Sequence, residues 1–177
     1  GIFVTQQQHT VARQIAVACR AQGVRRVFGV PGGGSCLDLI RAFAEEGIDF
    51  VLSRTETAAV MMAAATAELT GGFGVAMTTQ GPGTASAAHG IAHASLDRAP
   101  GLLLTDGWTA RQAGFDTHQV FDQRALMAPV TKGGARLEGD DVAAELDRLV
   151  ALMTTAPWGP VHVELTGENA RRLTPAG

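Results

Sequence analysis

The chain has 177 residues, 46% of them hydrophobic and 18% charged, which excludes the make-up of a disordered segment and, at roughly 150 residues per domain, points to a single domain. Its net charge of -3, with 14 Lys and Arg spread along the chain, excludes the basic footprint of a nucleic-acid or anionic-membrane surface. No apolar run approaches the ~18 residues of a membrane span and no basic-then-apolar leader opens the chain, while two cysteines without a CxxC pair, Cys19 and Cys36, fit a reducing compartment; a cytoplasmic protein is expected.

Glycine and proline mark most junctions between apolar runs and amphipathic segments, the signature of alternating strands and helices. Thr10 is placed to cap a helix whose apolar positions Val11, Ile15, Ala18 and Cys19 recur at helical spacing, with Gly23 as its stop. A short strand over 26–30 follows. Ser35, with Asp38 three residues on, makes a capping-box-like start for a second helix that carries Leu37, Ile40 and Phe43 and ends near Gly47. Residues 50–53 read as the next strand. An alanine-rich helix then runs over 56–69 until Gly71 and Gly72 stop it. Residues 74–79 are apolar with strand character, Gly81, Pro82 and Gly83 form a tight loop, and a second small-residue helix extends to about Leu96. A strand is expected over 101–106, then a polar loop through Arg111 and Asp116, a short helix near Gln123 and a strand over 130–132. Asp140 and Asp141 begin a helix with Val142, Leu146, Leu149, Val150 and Met153 on one face, and 160–165 alternates as a closing strand.

About six strands separated by helices require crossover connections, so the predicted fold class is α/β: three layers, α/β/α, around a six-stranded, mostly parallel sheet. The domain is expected to fill 1–177, with 1–9 and 168–177 as flanking tails. With Gly1 in place of Met, a cloning scar or an excised piece of something longer is expected. Right-handed crossovers gather the strand-to-helix loops at one carboxyl edge, where open α/β sheets bind ligands.

Three loops belong to that edge: Val30-Pro31-Gly32-Gly33-Gly34, Gln80-Gly81-Pro82-Gly83 and the segment 114–122. Tight turns alone account for glycine and proline at such places. Walker-type phosphate binding is excluded, because no glycine run is followed by Lys and Ser or Thr. A dinucleotide site at Gly81-Pro82-Gly83, with Asp106 ending the next strand, is a competing reading, although Ser86 stands where its third glycine or alanine belongs. Glu56 opens the most apolar helix directly after a strand. Such an acid either complements a helix N-terminus or presents a carboxyl group at an apolar cleft, suited to sharing a proton with a ligand nitrogen. His89 and His93 lie one helical turn apart without a third ligand, so a solvated helix face is expected there and no metal site.

From about Thr10 to about Glu164 the sequence resembles the N-terminal pyrimidine-binding domain of thiamine-diphosphate enzymes of the acetolactate synthase and 2-oxoacid decarboxylase group. The resemblance is carried, in order, by 23–33 (Gly-Val-Arg-Arg-Val-Phe-Gly-Val-Pro-Gly-Gly), Arg54-Thr55-Glu56, Gln80-Gly81-Pro82-Gly83-Thr84 and Gly90-Ile91-Ala92. It continues through Asp97-Arg98-Ala99-Pro100, Gly114-Phe115-Asp116, Gln119 and Gly159-Pro160-Val161. It implies that Glu56 hydrogen-bonds ring nitrogen N1′ of the cofactor's aminopyrimidine, arming the cofactor's exocyclic nitrogen to take the C2 proton of the thiazolium. It further implies cofactor contacts from Gln80, Pro82, Gly83 and Ser86, a substrate pocket with Pro31, Gly32, Gly33 and His118 at its mouth, and a catalytic polar side chain at Gln119.

The sequence departs from acetolactate synthases at three of these places: Ser86 replaces their usual Asn, His118 their Phe and Val120 their Glu. The family's diphosphate-binding signature, Gly-Asp-Gly followed by Asn to hold a divalent metal, is absent from these 177 residues. The resemblance therefore implies half of a site: a lyase or transferase component that uses thiamine diphosphate and Mg2+, the metal being held elsewhere. Such a component is expected to be inactive without a diphosphate-binding domain or subunit, and to form at least a dimer. The alternative is a non-catalytic dimerisation or interaction domain that retains the fold.

Overall fold

The computed structural model describes residues 7–176; of the expected N-terminal tail, residues 1–6 lie outside that range. The chain begins with β1 (Gln8–Thr10) and α1 (Val11–Ala21), whose first turn is closed by the Thr10 hydroxyl accepting from the Arg13 amide at 3.1 Å. Then come β2 (Arg26–Val30), α2 (Ser35–Glu45), β3 (Asp49–Leu52) and α3 (Glu56–Thr70). The middle of the chain supplies β4 (Gly74–Thr78), α4 (Pro82–Leu96), β5 (Gly101–Thr105) and two short helices, α5 (Ala110–Ala113) and α6 (Gln123–Met127). The chain continues with β6 (Gly134–Arg136), α7 (Val142–Thr154), β7 (Val161–Glu164), α8 (Gly167–Arg171) and β8 (Leu173–Pro175).

Six strands form one sheet in the order β3-β2-β4-β5-β7-β6, with every neighbouring pair parallel. Alternate residues of the central strands feed opposite layers, as the pleat requires. Val27, Val75, Met77, Leu102 and Leu104 pack with α1, α2 and α7 on one side. Phe28, Ala76 and Leu103 pack with α3, α4 and α6 on the other. The result is the expected three-layer α/β/α fold. The register aligns the last residues of four strands in a row: Val30 opposite Thr78, Thr78 opposite Thr105, and Thr105 opposite Glu164. The loops that leave this row converge on one edge.

Three local expectations need revision. The strand placed at 130–132 is instead a 3-10 turn, Ala128–Val130, and the edge strand lies at Gly134–Arg136. Pro129 has no amide proton for a ladder, whereas Gly134 allows the close approach to the His162 backbone that pairing with β7 brings. The second helix is not started by a Ser35 capping box: its N-cap is Gly34, and both the amide and hydroxyl of Ser35 donate to Asp106 Oδ1, at 3.3 and 3.0 Å. Residues 168–175, read as part of a tail, contribute α8 and β8; β8 pairs antiparallel with β1, and Gln14 reaches across to Thr174 and to the Pro175 carbonyl. No helix among the described residues is long and apolar enough to cross a membrane.

Candidate functional site

Glu56 is the first residue of α3, half-buried, and its helix is capped by the Thr55 hydroxyl, which accepts from the Ala58 amide at 3.1 Å. Across from it is Gly83. A Cβ on Gly83 would stand 3.5 Å from Glu56 Oε1 and 2.6 Å from Thr79 Cγ2, and a Cβ on Gly32 would overlap the Thr79 hydroxyl. Glu56, Gly83, Thr79 and Gly32 therefore pack in one row: Thr79 fills the space beside both glycines, and the bare Gly83 backbone comes close to the Glu56 carboxyl group. Pro82 and Ser86 are exposed on the first turns of α4, and the Ser86 carbonyl accepts from the Thr57 hydroxyl at 2.7 Å. That bond fixes the start of α3 against α4.

On the other side of Thr79 a cavity of about 920 Å³ opens at the carboxyl edge. Gly33, Gln80 and Gln119 line it together with Asp106, Trp108 and Arg111. Gln119 is exposed and has a left-handed backbone, φ 62°, uncommon for a residue with a side chain. His118 is exposed beside it, its amide donating to Asp116 Oδ1 at 3.0 Å. The candidate residues thus divide: Gly33, Gln80 and Gln119 line the cavity, while Glu56, Gly32, Gly83, Pro82 and Ser86 lie beyond Thr79. Pro31 and His118 line neither. His89 and His93 are both exposed, and His93 Nε2 lies 3.2 Å from Asp97 Oδ2.

At and beside the carboxyl ends of β5 and β7 is a buried polar layer that sequence reasoning did not assemble. Burial pushes the Asp106 carboxyl above its ordinary range, against the lowering effect of hydrogen bonds from the Ser35 and Gly107 amides and the Ser35 hydroxyl. Burial likewise raises Glu164, opposed by the Arg136 guanidinium 3.1 Å away. His162 is pushed down to about 4 by burial and, secondarily, by the Arg124 charge. Its Nε2 lies 2.6 Å from the Thr105 hydroxyl. The sequence did carry a signal: parallel strands covered on both faces read as continuous apolar runs, yet His162 and Glu164 interrupt β7. Cys19 and Cys36 are both buried free thiols, raised by burial to about 12 and about 11.

Residues 9–126 match the family model described as thiamine pyrophosphate enzyme, N-terminal TPP binding domain. The chain belongs to the thiamine pyrophosphate enzyme family. Within the family it is 38% identical over 146 residues to acetolactate synthase isozyme 3 large subunit of Escherichia coli (strain K12), covering 81% of this chain and 25% of that protein. It is 34% identical over 155 residues to a probable acetolactate synthase large subunit of Methanocaldococcus jannaschii, covering 87% and 26%. To the acetolactate synthase large subunit of Lactococcus lactis subsp. lactis it is 36% identical over 146 residues, covering 81% and 25%. The chain spans about a quarter of the length of these relatives. Two thirds of the chain match the N-terminal TPP binding domain of this family, and the relatives it resembles are acetolactate synthase large subunits.

Proposed function

We propose that this chain is the pyrimidine-binding half of a thiamine-diphosphate-dependent enzyme that decarboxylates or carboligates a 2-oxoacid, and that Glu56 is its catalytic carboxyl group. The observation that carries the reading is the Glu56 carboxyl group at the head of α3, with Oε1 3.5 Å from where a Gly83 Cβ would stand, so that the bare backbone of the Gly83 loop comes close to the carboxyl group. A backbone without a side chain lets a flat heteroaromatic ring lie close against it, and a half-buried acid beside that backbone is the donor or acceptor that a ring nitrogen needs. When bound, the cofactor would supply a carbon nucleophile for the 2-oxoacid carbonyl and a cationic ring that accepts the electron pair left as carbon dioxide departs.

The chain's own residues hold and orient. Glu56 holds a proton against N1′, while Gly83 and Pro82 keep the loop close to the ring and Gln80 and Ser86 bound the same loop. Gln119 and Gly33 face the cavity where a 2-oxoacid would enter, with His118 beside them. Mg2+ and the diphosphate belong to a diphosphate-binding domain or subunit, without which this half is inactive. Proton exchange at cofactor C2, measured in the complex with that partner, tests the role of Glu56. Glu56→Gln should slow exchange by about two orders of magnitude or more; exchange as fast as the parent's would remove Glu56 from the chemistry. The second reading, a non-catalytic interaction domain, draws on Leu69 and Leu96, 87% and 85% exposed on α3 and α4. It predicts that the assembled complex neither binds the cofactor nor exchanges its C2 proton.

A further inference from the structure

Gln123 is the first residue of α6, 1% exposed, and belongs to none of the loops that carry the family resemblance. Its side-chain amide is fully used. Oε1 accepts from the Gly81 amide at 3.0 Å, and Nε2 donates to the Asp106 carbonyl at 2.6 Å and, more weakly, to the Thr105 hydroxyl at 3.4 Å. The orientation is forced, because turning the amide over would set Oε1 against the Asp106 carbonyl and the NH2 group against the Gly81 N–H. Thr105 Oγ1, accepting from Gln123, also lies 2.6 Å from His162 Nε2 and keeps its own proton free to donate when that nitrogen is unprotonated. One side chain thus joins the end of β5 to the loop between β4 and α4.

Gly81 is the N-cap of α4, with φ 63° and no side-chain cap bond. It is also where the two candidate loops touch: a Cβ there would stand 2.5 Å from the Gln119 carbonyl oxygen and 2.7 Å from Gln119 Cβ. Two left-handed residues, Gly81 and Gln119, face each other across this contact. Neither geometry is locally preferred for a helix start or for a glutamine. Gln123 lies four residues after Gln119 and holds the Gly81 amide, so its bonds set the spacing between the loop bearing Pro82 and Gly83 and the turn bearing Gln119.

We infer that Gln123 is a positioning residue that clamps Gly81, and through it registers the Pro82-Gly83 loop and Gln119 around the bound cofactor. The inference rests on the function proposed above for what it says of the cofactor, and on the geometry of the chain alone for what it says of the loop. Breaking the clamp leaves a buried Gly81 amide unpaired and frees the N-cap to shift, whereas removing the Thr105 hydroxyl leaves the Gly81 and Asp106 bonds in place.

The test compares Gln123→Met, which preserves length without hydrogen bonds, with Thr105→Val. In the 177-residue chain, amide hydrogen exchange at Gly81 should accelerate about tenfold or more in Gln123→Met, the effect of an unpaired buried amide, and stay at the parent rate in Thr105→Val. In the enzyme completed by its diphosphate-binding partner, Gln123→Met should weaken thiamine diphosphate binding about tenfold or more and lower kcat even at saturating cofactor; Thr105→Val should do neither. Equal losses in both variants, or unchanged Gly81 exchange in Gln123→Met, would reduce Gln123 to a stabilising contact and overturn the inference. The parent chain gives a readout that needs no variant to fold: the Gln123 side-chain NH2 should exchange slowly as a fixed donor, and exchange at the rate of a free glutamine would also overturn it. If the completed parent enzyme binds no thiamine diphosphate, the proposed function fails, while the Gly81 measurement still decides the clamp.

Discussion

His162 shows how one buried side chain makes folding depend on pH. It is 3% exposed in β7, and its hydrogen bond to Thr105 suits the neutral ring, whose Nε2 accepts. Its value falls from the ordinary 6.5 to about 4 through burial and the Arg124 charge. Above pH 6.5 the ring is neutral in both folded and unfolded chains and adds no pH dependence. Between about 6.5 and 4 the unfolded chain takes up a proton that the folded chain refuses, so stability falls as pH falls. At about 1.4 kcal/mol per pH unit the loss reaches on the order of 3 kcal/mol. Glu164 and Asp106, both raised by burial, bind protons more readily when folded and act with the opposite sign on the acid side. The difference between parent and variant is therefore the quantity to measure. Urea unfolding at pH 7 and pH 4.5 should show that His162→Gln, which keeps an acceptor for Thr105, loses less stability on acidification than the parent. Equal losses would mean that His162 is protonated in the folded protein.

At the level of elements, α3 and α4 approach each other closely, and a Cβ on Gly90 would stand 2.7 Å from Val60 Cβ and 3.0 Å from the Thr57 carbonyl. Gly90→Ala should therefore destabilise the fold by about 1–3 kcal/mol, although alanine is the better helix former by about 1 kcal/mol; a chemical-denaturation midpoint at or above the parent's would show that the helices can separate. This contact was visible in the sequence only as a run of alanine and glycine, which says that something approaches closely but not what. The central elements were legible because Gly23, Gly71 and Gly81 bound the apolar and small-residue runs at places where the chain turns with positive φ. The edge strand was not, because Gly134-Ala135-Arg136 has no strand pattern of its own and is defined by pairing with β7. The β1–β8 pair was hidden for a similar reason: its contacts join residues about 160 positions apart, as in the Gln14–Thr174 bond. Within the candidate site, Glu56 and the glycine loops could be read from a resemblance, whereas Gln123 could not, since nothing local says that a glutamine opening a five-residue helix reaches Gly81.

On the scale of the whole molecule, α3 and α4 are apolar on the side away from the sheet as well as on the side facing it. Ala85, Ala88, Ala92 and Leu96 recur along α4 at helical spacing, exposed or half-buried, and Ala65 and Leu69 continue the surface on α3. Leu69 and Leu96 are 87% and 85% exposed, with His89 and His93 of α4 also exposed, and large apolar side chains left open to solvent suit an interface. The 177-residue chain by itself should therefore self-associate to at least a dimer through these helices. It should nevertheless bind thiamine diphosphate poorly. Among the described residues no group of three or more His, Cys, Asp or Glu side chains converges as a metal site, and no glycine loop followed by Lys is present to cradle a diphosphate. One carboxyl group and a loop around an aminopyrimidine give about millimolar affinity, roughly 4 kcal/mol. Titration calorimetry of the chain with Mg2+ and thiamine diphosphate should detect no binding in the micromolar range, and sedimentation should give at least twice the chain's mass. Micromolar binding would place the diphosphate site within these residues, and a monomer that persists at high concentration would assign the outer face of α3 and α4 to a different chain.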